Sequence, residues 1–371
     1  MHIAAPSNRM ADQFPHLSDA DVEAELHRTK SQIAALRRGG AARGGAAAMD
    51  WSFVKASACR PDNLLGEGAG CVGVYKLVSP ATGEPFAVKL IKRSTVGFGD
   101  AKHSFEKEVA ILNELRHPGV CRLRHVTSDS KYHMLAIELC DEGELFNEVA
   151  KGGLKEDVAR AYFCQVVSAL GYCHSKGVFH RDLKLENVLV KKGGVIKVAD
   201  FGMAKHCGPN SSCETRQVGT VAYMAPEVAD AGQHGAYDGA LVDVWSCGVM
   251  LYVMVVCNYP FGHDGPGGQG VRQLLRNIAS GRFSFPSRLD LSPEIKDLIG
   301  QMLTVDVRRR ITIAQIKQHP WAAPGMAAAE AALEDSPVDL GSLTSGGPVE
   351  AEPEPAAEAG AWGGDEEAQE F

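Results

Sequence analysis

The chain has 371 residues, with 38 Lys and Arg against 46 Asp and Glu, a net charge of −8 and 45% hydrophobic residues. That balance is the composition of a soluble globular chain of two or three domains. Its ten cysteines are scattered with no C-x-x-C pair, which gives no zinc or thioredoxin-type site and predicts reduced thiols inside a cell. No basic start followed by an apolar core opens the sequence, His2 stands where myristoylation needs glycine, and the longest apolar run, 247–257, reads as a buried helix too short to span a bilayer. The expectation is a cytosolic or nuclear protein.

Residues 1–49 read as an appendage. Ser18 can cap a helix whose first turn holds Asp19 and Asp21, with Val22, Leu26, Ile33 and Leu36 at roughly helical spacing. That amphipathic helix stops at Gly39-Gly40, and the Gly/Ala-rich stretch to Ala48 is a flexible linker. Next comes Leu65-Gly66-Glu67-Gly68-Ala69-Gly70-Cys71-Val72-Gly73-Val74-Tyr75, whose glycines permit positive φ and close approach of the backbone to a phosphate. A hairpin turning at Thr82-Gly83 leads into the strand pattern of residues 86–91, which carries Ala87 and Lys89. Residues 104–116 read as a helix with Val109, Leu112 and Leu115 apolar and Glu108 on the adjoining face.

The strand pattern of 134–140 is followed by Gly143-Glu144-Leu145-Phe146, and then by a long core helix over 156–176 marked by Val158, Tyr162, Val166, Ala169, Leu170 and Cys173. It delivers the chain to His180-Arg181-Asp182-Leu183-Lys184-Leu185-Glu186-Asn187, where an acid, a cation and an amide sit between apolar anchors. A short strand with Val195, Ile196 and Val198 precedes Asp200-Phe201-Gly202, so the two acids are expected to face one site. Residues 206–215 are small and polar, which favours mobility until something orders them. From 322 to 371 there are twelve Asp and Glu and no Lys or Arg, and that Ala-, Gly- and Pro-rich stretch is expected to be a disordered acidic tail.

His180 to Asn187 and Asp200-Phe201-Gly202 together resemble the eukaryotic protein kinases, in the order and spacing of their H-R-D-x-K-x-x-N and D-F-G motifs. The resemblance covers about residues 50–321, and the ending His319-Pro320-Trp321 is similar to that of the calcium/calmodulin-dependent and AMP-activated (sucrose-nonfermenting-related) group. It implies an α+β bilobal fold: a small antiparallel β lobe (about 50–138) with one regulatory helix, over a mainly helical large lobe (about 141–321). It also implies ATP and Mg2+ as cofactors. Asp182 would accept the proton of the substrate hydroxyl, Lys184 would neutralise the moving phosphoryl group, and Asn187 and Asp200 would ligate magnesium. Leu65, Gly66, Gly68 and Gly70 would cover the nucleotide. The glycine pattern is irregular: with Gly66 and Gly68 as the first pair, Cys71 and Gly73 stand at the third-glycine and valine positions. Framed on Gly68, Gly70 and Gly73, the motif instead puts Tyr75 at the valine position. The preferred reading is a loop one residue longer, with Val74 over the adenine.

In the same resemblance Ala87 lines the adenine pocket, Lys89 reaches the phosphates and pairs with Glu108, and Ile137 is the gatekeeper. The backbone of Glu138 and Cys140 would bond adenine, and Glu144 would contact ribose and a basic substrate side chain. Asp243 would brace the catalytic loop and Arg310 would pair with Glu227. Arg181 would grip an activating phosphate, at Thr215 first and Ser212 second. The function implied is ATP-dependent phosphorylation of Ser or Thr in protein substrates with basic flanking residues, after action of an upstream kinase. No nucleic acid or membrane is expected as partner, and the chain is expected to be a monomer. A nucleotide-binding pseudokinase acting as a scaffold is the alternative.

Overall fold

The computed structural model describes residues 49–67, 71–93, 100–206, 220–229, 237–263 and 270–334, with the backbone alone for 100–104. The expected N-terminal helix and linker, Gly68, Gly70, the polar loop with Ser212 and Thr215, and residues 335–371 lie outside the described residues.

The small lobe is one antiparallel sheet of β1 (Leu64–Gly66), β2 (Gly73–Val78), β3 (Pro85–Lys92), β4 (Leu123–Ser128) and β5 (Tyr132–Glu138), ordered β1-β2-β3-β5-β4. Helix α1 (Asp100–Glu114) links β3 to β4. Because side chains alternate along a strand, β3 has two faces. Val88 and Leu90 join Val54, Leu77, Met134 and Ala136 in a small outer core that Trp51 and Phe53 close from the preceding segment. Ala87, Lys89 and Ile91 take the opposite face, beside Leu135 and the Phe105 and Val109 of α1. One strand thus secures the lobe with one set of residues and presents a charged lysine with the other.

The large lobe begins with β6 (Gly143–Glu144), α2 (Leu145–Val149) and α3 (Glu156–Ser175), then β7 (Val178–Phe179), β8 (Val188–Lys191), β9 (Val195–Val198) and β10 (Lys205–His206). It continues with α4 (Pro226–Ala229), α5 (Gly239–Val256), α6 (Val271–Ser280), α7 (Pro293–Met302), α8 (Ile313–Gln318) and α9 (Ala323–Glu334). Strands β6, β8 and β9 form a small sheet in that order, and β7 pairs with β10. Asp238 starts α5 by accepting from the backbone N–H groups of Ala240 and Leu241. That helix extends well before the apolar run 247–257; its length and composition would allow it to cross a membrane, but 89% of it is buried inside the lobe. Its close approach to α7 requires Gly248, where a Cβ would come within 2.8 Å of Met302 Cβ. Fully buried Arg310 makes a bidentate pair with Glu227 at 2.6 and 2.9 Å, tying α4 to the loop before α8.

Two sequence expectations need correction. The buried face of α3 centres on Ala159, Phe163, Val166 and Leu170, so Val158 is exposed and Tyr162 only partly buried. The acidic tail does not begin at 322, because α9 packs on α3 with Met326, Ala329 and Leu333 buried. Those three recur at helical spacing, but a stripe with an alanine in its middle is hard to distinguish from Ala-rich linker composition. Trp321 precedes it, donating its Nε1–H to Glu156 at 2.7 Å with the Arg160 guanidinium 4.9 Å from its ring.

His125 stacks flat on Trp51, with ring centroids 4.9 Å apart. Burial depresses its pKa to about 4, below the ordinary value of about 6.5. As pH falls the unfolded chain therefore takes the proton first, and stability that is complete above about pH 6.5 is lost toward pH 4. His117 has the same depression, chiefly from burial. We predict that His125→Phe, which keeps the stacking, removes part of the fall in melting temperature between pH 7 and 5; equal slopes for variant and wild type would contradict this.

Candidate active site

Lys89 leaves the inner face of β3 and meets two carboxylates, Glu108 Oε1 of α1 at 2.8 Å and Asp200 Oδ1 at 2.9 Å. Burial alone would depress the Lys89 ammonium, but the charges of Glu108 and then Asp200 outweigh it and hold the lysine protonated. Burial pushes Glu108 upward, and Lys89 draws it back. Asp200 is also penalised by burial, yet the charge and hydrogen bond of Lys89, with His180 and the Gly202 N–H, keep it below its ordinary range. Asp200 adopts the left-handed conformation, φ 57°, at the start of the 3₁₀ turn Phe201–Met203.

The second acid, Asp182, is held from several sides. Thr220 donates to its Oδ1 through the backbone N–H (2.8 Å) and the hydroxyl (3.0 Å). The Lys184 ammonium lies 3.0 Å from Oδ2 and donates to the Thr220 hydroxyl at 2.8 Å. Asn187 Nδ2 donates to the Asp182 carbonyl at 2.8 Å. With that amide nitrogen engaged, Asn187 has Oδ1 left to offer a cation. Asn187 and Asp200 supply hard oxygen donors suited to Mg2+, which would take its remaining ligands from phosphate and water. Among the described residues no cluster of three or more His, Cys, Asp or Glu is placed to hold a metal by itself.

Beneath this loop lies the carboxylate of Asp243, with no solvent exposure. It accepts from His174 Nε2 (2.8 Å), the His180 N–H (2.9 Å) and the Arg181 N–H (2.8 Å). Arg181 sits at φ 64°, a conformation that costs a non-glycine residue about 1–2 kcal/mol. The His180 Nε2–H donates to the Ala199 carbonyl at 2.9 Å, which leaves Nδ1 to accept from the Asp182 N–H at 3.4 Å. One imidazole therefore spaces the two acids. The Arg181 guanidinium bonds the Met203 carbonyl and the Tyr237 hydroxyl.

The remaining expected residues lie on the small-lobe sheet, on the segment after β5 and at the start of α2. Val74 is directly across from Lys89, and Ile137 across from Ala87, which places all four on one face. Leu65 is half exposed on β1 and Gly66 pairs with Val74 through a shifted register. At Gly73 a Cβ would come within 2.8 Å of Leu64 Cδ1, the end of an exposed side chain that can turn away. Glu138 turns its side chain toward Lys197 Nζ at 2.9 Å and accepts from the Cys121 thiol at its backbone oxygen, 3.8 Å away. Cys140 follows on the hinge, partly buried. Glu144 stands at the start of α2 without capping it, and its pKa is raised by burial and by the neighbouring Glu186.

Three contributors make contacts in the site that the sequence motifs do not assign. Thr220 carries a hydroxyl shared by Asp182 and Lys184, His174 faces Asp243 from α3, and Lys197 is buried under Glu138. In the pattern Val195-Ile196-Lys197-Val198 a lysine reads as outward-facing, so no local signal reveals the last of these. Replacing Asp243 by Asn would set an amide N–H against buried donors. We predict a loss of about 3 kcal/mol in urea unfolding; a loss under about 1 kcal/mol would contradict the bracing role.

Comparison with known proteins agrees with this geometry. The family described as "Protein kinase domain" matches residues 60–322. CBL-interacting protein kinase 19 of Oryza sativa subsp. japonica is 39% identical over 279 residues, covering 74% of this chain and 52% of the relative. CBL-interacting serine/threonine-protein kinase 20 of Arabidopsis thaliana is 37% identical over 284 residues, covering 76% and 62%. Serine/threonine-protein kinase SRK2F of Arabidopsis thaliana is 38% identical over 270 residues, covering 71% and 73%. The chain thus spans roughly half to three-fifths of the CBL-interacting relatives. With the family matched across both lobes and the cleft assembled from their residues, the chain belongs to the protein kinase family.

Proposed function

We propose that this chain transfers the γ-phosphoryl group of ATP to Ser or Thr hydroxyls of protein substrates. The observation that carries the reading is Lys89 bonded at once to Glu108 and Asp200, in a cleft whose other acid is anchored by Thr220 and Lys184. Phosphoryl transfer asks mainly for positioning and opposite charge. Lys89 would hold the α- and β-phosphates, while Ala87, Val74 and the backbone of Glu138 and Cys140 would enclose adenine. Asn187 and Asp200 would hold magnesium, which would supply positive charge to offset that of the phosphates. Asp182 orients the acceptor hydroxyl and takes its proton, and Lys184 faces the transferring group.

Glu144 and Glu186 favour an acceptor with Arg a few residues before the target. Burial and the charge of Glu186 raise the pKa of Glu144, and Glu186 Oε2 is buried without a hydrogen-bond partner, so a guanidinium there would meet both carboxylates. An upstream kinase would act on Thr215 or Ser212, with Arg181 receiving the phosphate. The chain would work as a cytosolic or nuclear monomer in signalling.

Lys89→Met and Asp182→Asn should each lower kcat by at least about 100-fold while circular dichroism stays near wild type, with a lower melting temperature in Lys89→Met alone because buried Glu108 loses its partner. Near wild-type turnover in either variant would contradict the role given to it. Nucleotide binding without transfer in the wild-type chain would favour the scaffold reading. Glu144→Gln should lower the preference for Arg-flanked over neutral peptides several-fold, about 1 kcal/mol for a partly exposed pair, and an unchanged ratio would remove the basic-flank assignment.

A further inference from the structure

Behind the hinge lie two thiols that the proposed transfer does not use. The β4–β5 pairing has Leu123 opposite Ile137, and the Glu138 N–H donates to the Arg122 carbonyl at 2.9 Å. Continuing that antiparallel course brings residue 121 beside 139 and 140. The Cys121 thiol reaches the Glu138 carbonyl at 3.8 Å, and the Cys140 thiol is near enough to raise the pKa of Cys121. Cys121 is buried, with its N–H donating to the Val198 carbonyl of β9 at 2.8 Å, whereas Cys140 is partly open to solvent. Both are free. The pair therefore stands between the hinge and the strand that ends two residues before Asp200.

We propose that Cys121 and Cys140 are a peroxide-oxidisable dithiol, whose closure to a disulfide ties the hinge to the base of β9 and weakens nucleotide binding. The accessible Cys140, as thiolate, attacks the peroxide O–O bond; its sulfur becomes a sulfenic acid and the other oxygen leaves as water. The Cys121 sulfur then attacks that sulfenic sulfur, the S–S bond forms, and the sulfenic oxygen departs as a second water with the Cys121 proton. Two thiols lose two electrons and one hydrogen peroxide gains them. The order follows from exposure. The neighbouring Cys140 thiol and burial keep Cys121 well above the ordinary thiol range, which suits it to resolving a neighbour's oxidation rather than to meeting peroxide itself. The nearby Lys197 ammonium favours ionisation of Cys121 as the second step proceeds. Closing the bond draws the Cys140 backbone toward Cys121, and that backbone borders the adenine site.

The full reduced chain would be treated with graded hydrogen peroxide, alkylated with iodoacetamide and digested with trypsin without reduction. Cleavage after Arg116, Arg122, Lys131 and Lys151 separates the two cysteines into peptides 117–122 and 132–151. The expected product is that peptide pair linked, two hydrogens lighter than the sum, and lost on treatment with dithiothreitol. Affinity for a fluorescent ATP analogue should fall several-fold with the link and return on reduction. Cys121→Val, near-isosteric and outside the nucleotide and transfer machinery, should keep basal affinity and activity, should not lose affinity with peroxide, and should show Cys140 trapped by dimedone. Cys121 alkylated throughout while Cys140 proceeds to sulfinic acid or links elsewhere would overturn the proposal. So would a Cys121–Cys140 link that leaves nucleotide affinity unchanged, or an equal peroxide response in Cys121→Val.

Discussion

A carboxylate without access to water is a heavy penalty, several kcal/mol for an ion left uncompensated. Asp243 meets that penalty with three donors, from His174, His180 and Arg181. The compensation is what fixes the loop: two donors are consecutive backbone N–H groups, and reaching one carboxylate with both puts Arg181 into the left-handed region. The strain there is small beside the charged hydrogen bonds that hold it. Asp182 then emerges with its side chain already aimed at Thr220 and Lys184. The same buried acid thus reconciles an apolar helix, α5, with a loop crowded with charge.

The small lobe contributes one cation to that arrangement, and its position depends on packing on both faces of the sheet. Val88 and Leu90 hold β3 against the segment with Trp51 and Phe53, while the inner face sets Lys89 opposite Val74 and Leu135. Helix α1 brings Glu108 to the same ammonium, its Phe105 stacked on His133 at 4.2 Å and its C-terminal carbonyls receiving the Arg116 guanidinium. Separating α1 from β3 would leave a buried lysine and a buried glutamate without each other. That is why the ion pair is both a structural contact and a condition on which phosphate placement depends.

The contiguous parts of this site were legible in the sequence. His180 to Asn187, Asp200 to Gly202 and Lys89 carry chemistry at fixed spacings, and the pairing of Lys89 with Glu108 was implied by the family resemblance. Contacts between elements were not legible in the same way. Lys197 looks solvent-facing until β9 is placed under Glu138, and Cys121 and Cys140 are two scattered cysteines until the β4–β5 register brings them together. Helical periodicity located α3 but missed the centre of its buried face by one residue, since Val158 and Ala159 are both apolar and only packing separates them. Alanine concealed α9, whose stripe carries one methionine and one leucine around Ala329.

The account rests most heavily on the cleft's transferring a phosphoryl group to an aliphatic hydroxyl rather than only holding a nucleotide. Incubating the full chain with γ-³²P-labelled ATP, Mg2+ and a mixed peptide library, followed by phosphoamino-acid analysis, tests that directly. The account predicts label on phosphoserine and phosphothreonine that disappears when Mg2+ is chelated. Saturable ATP binding with no incorporated label, or label confined to phosphotyrosine, would contradict it.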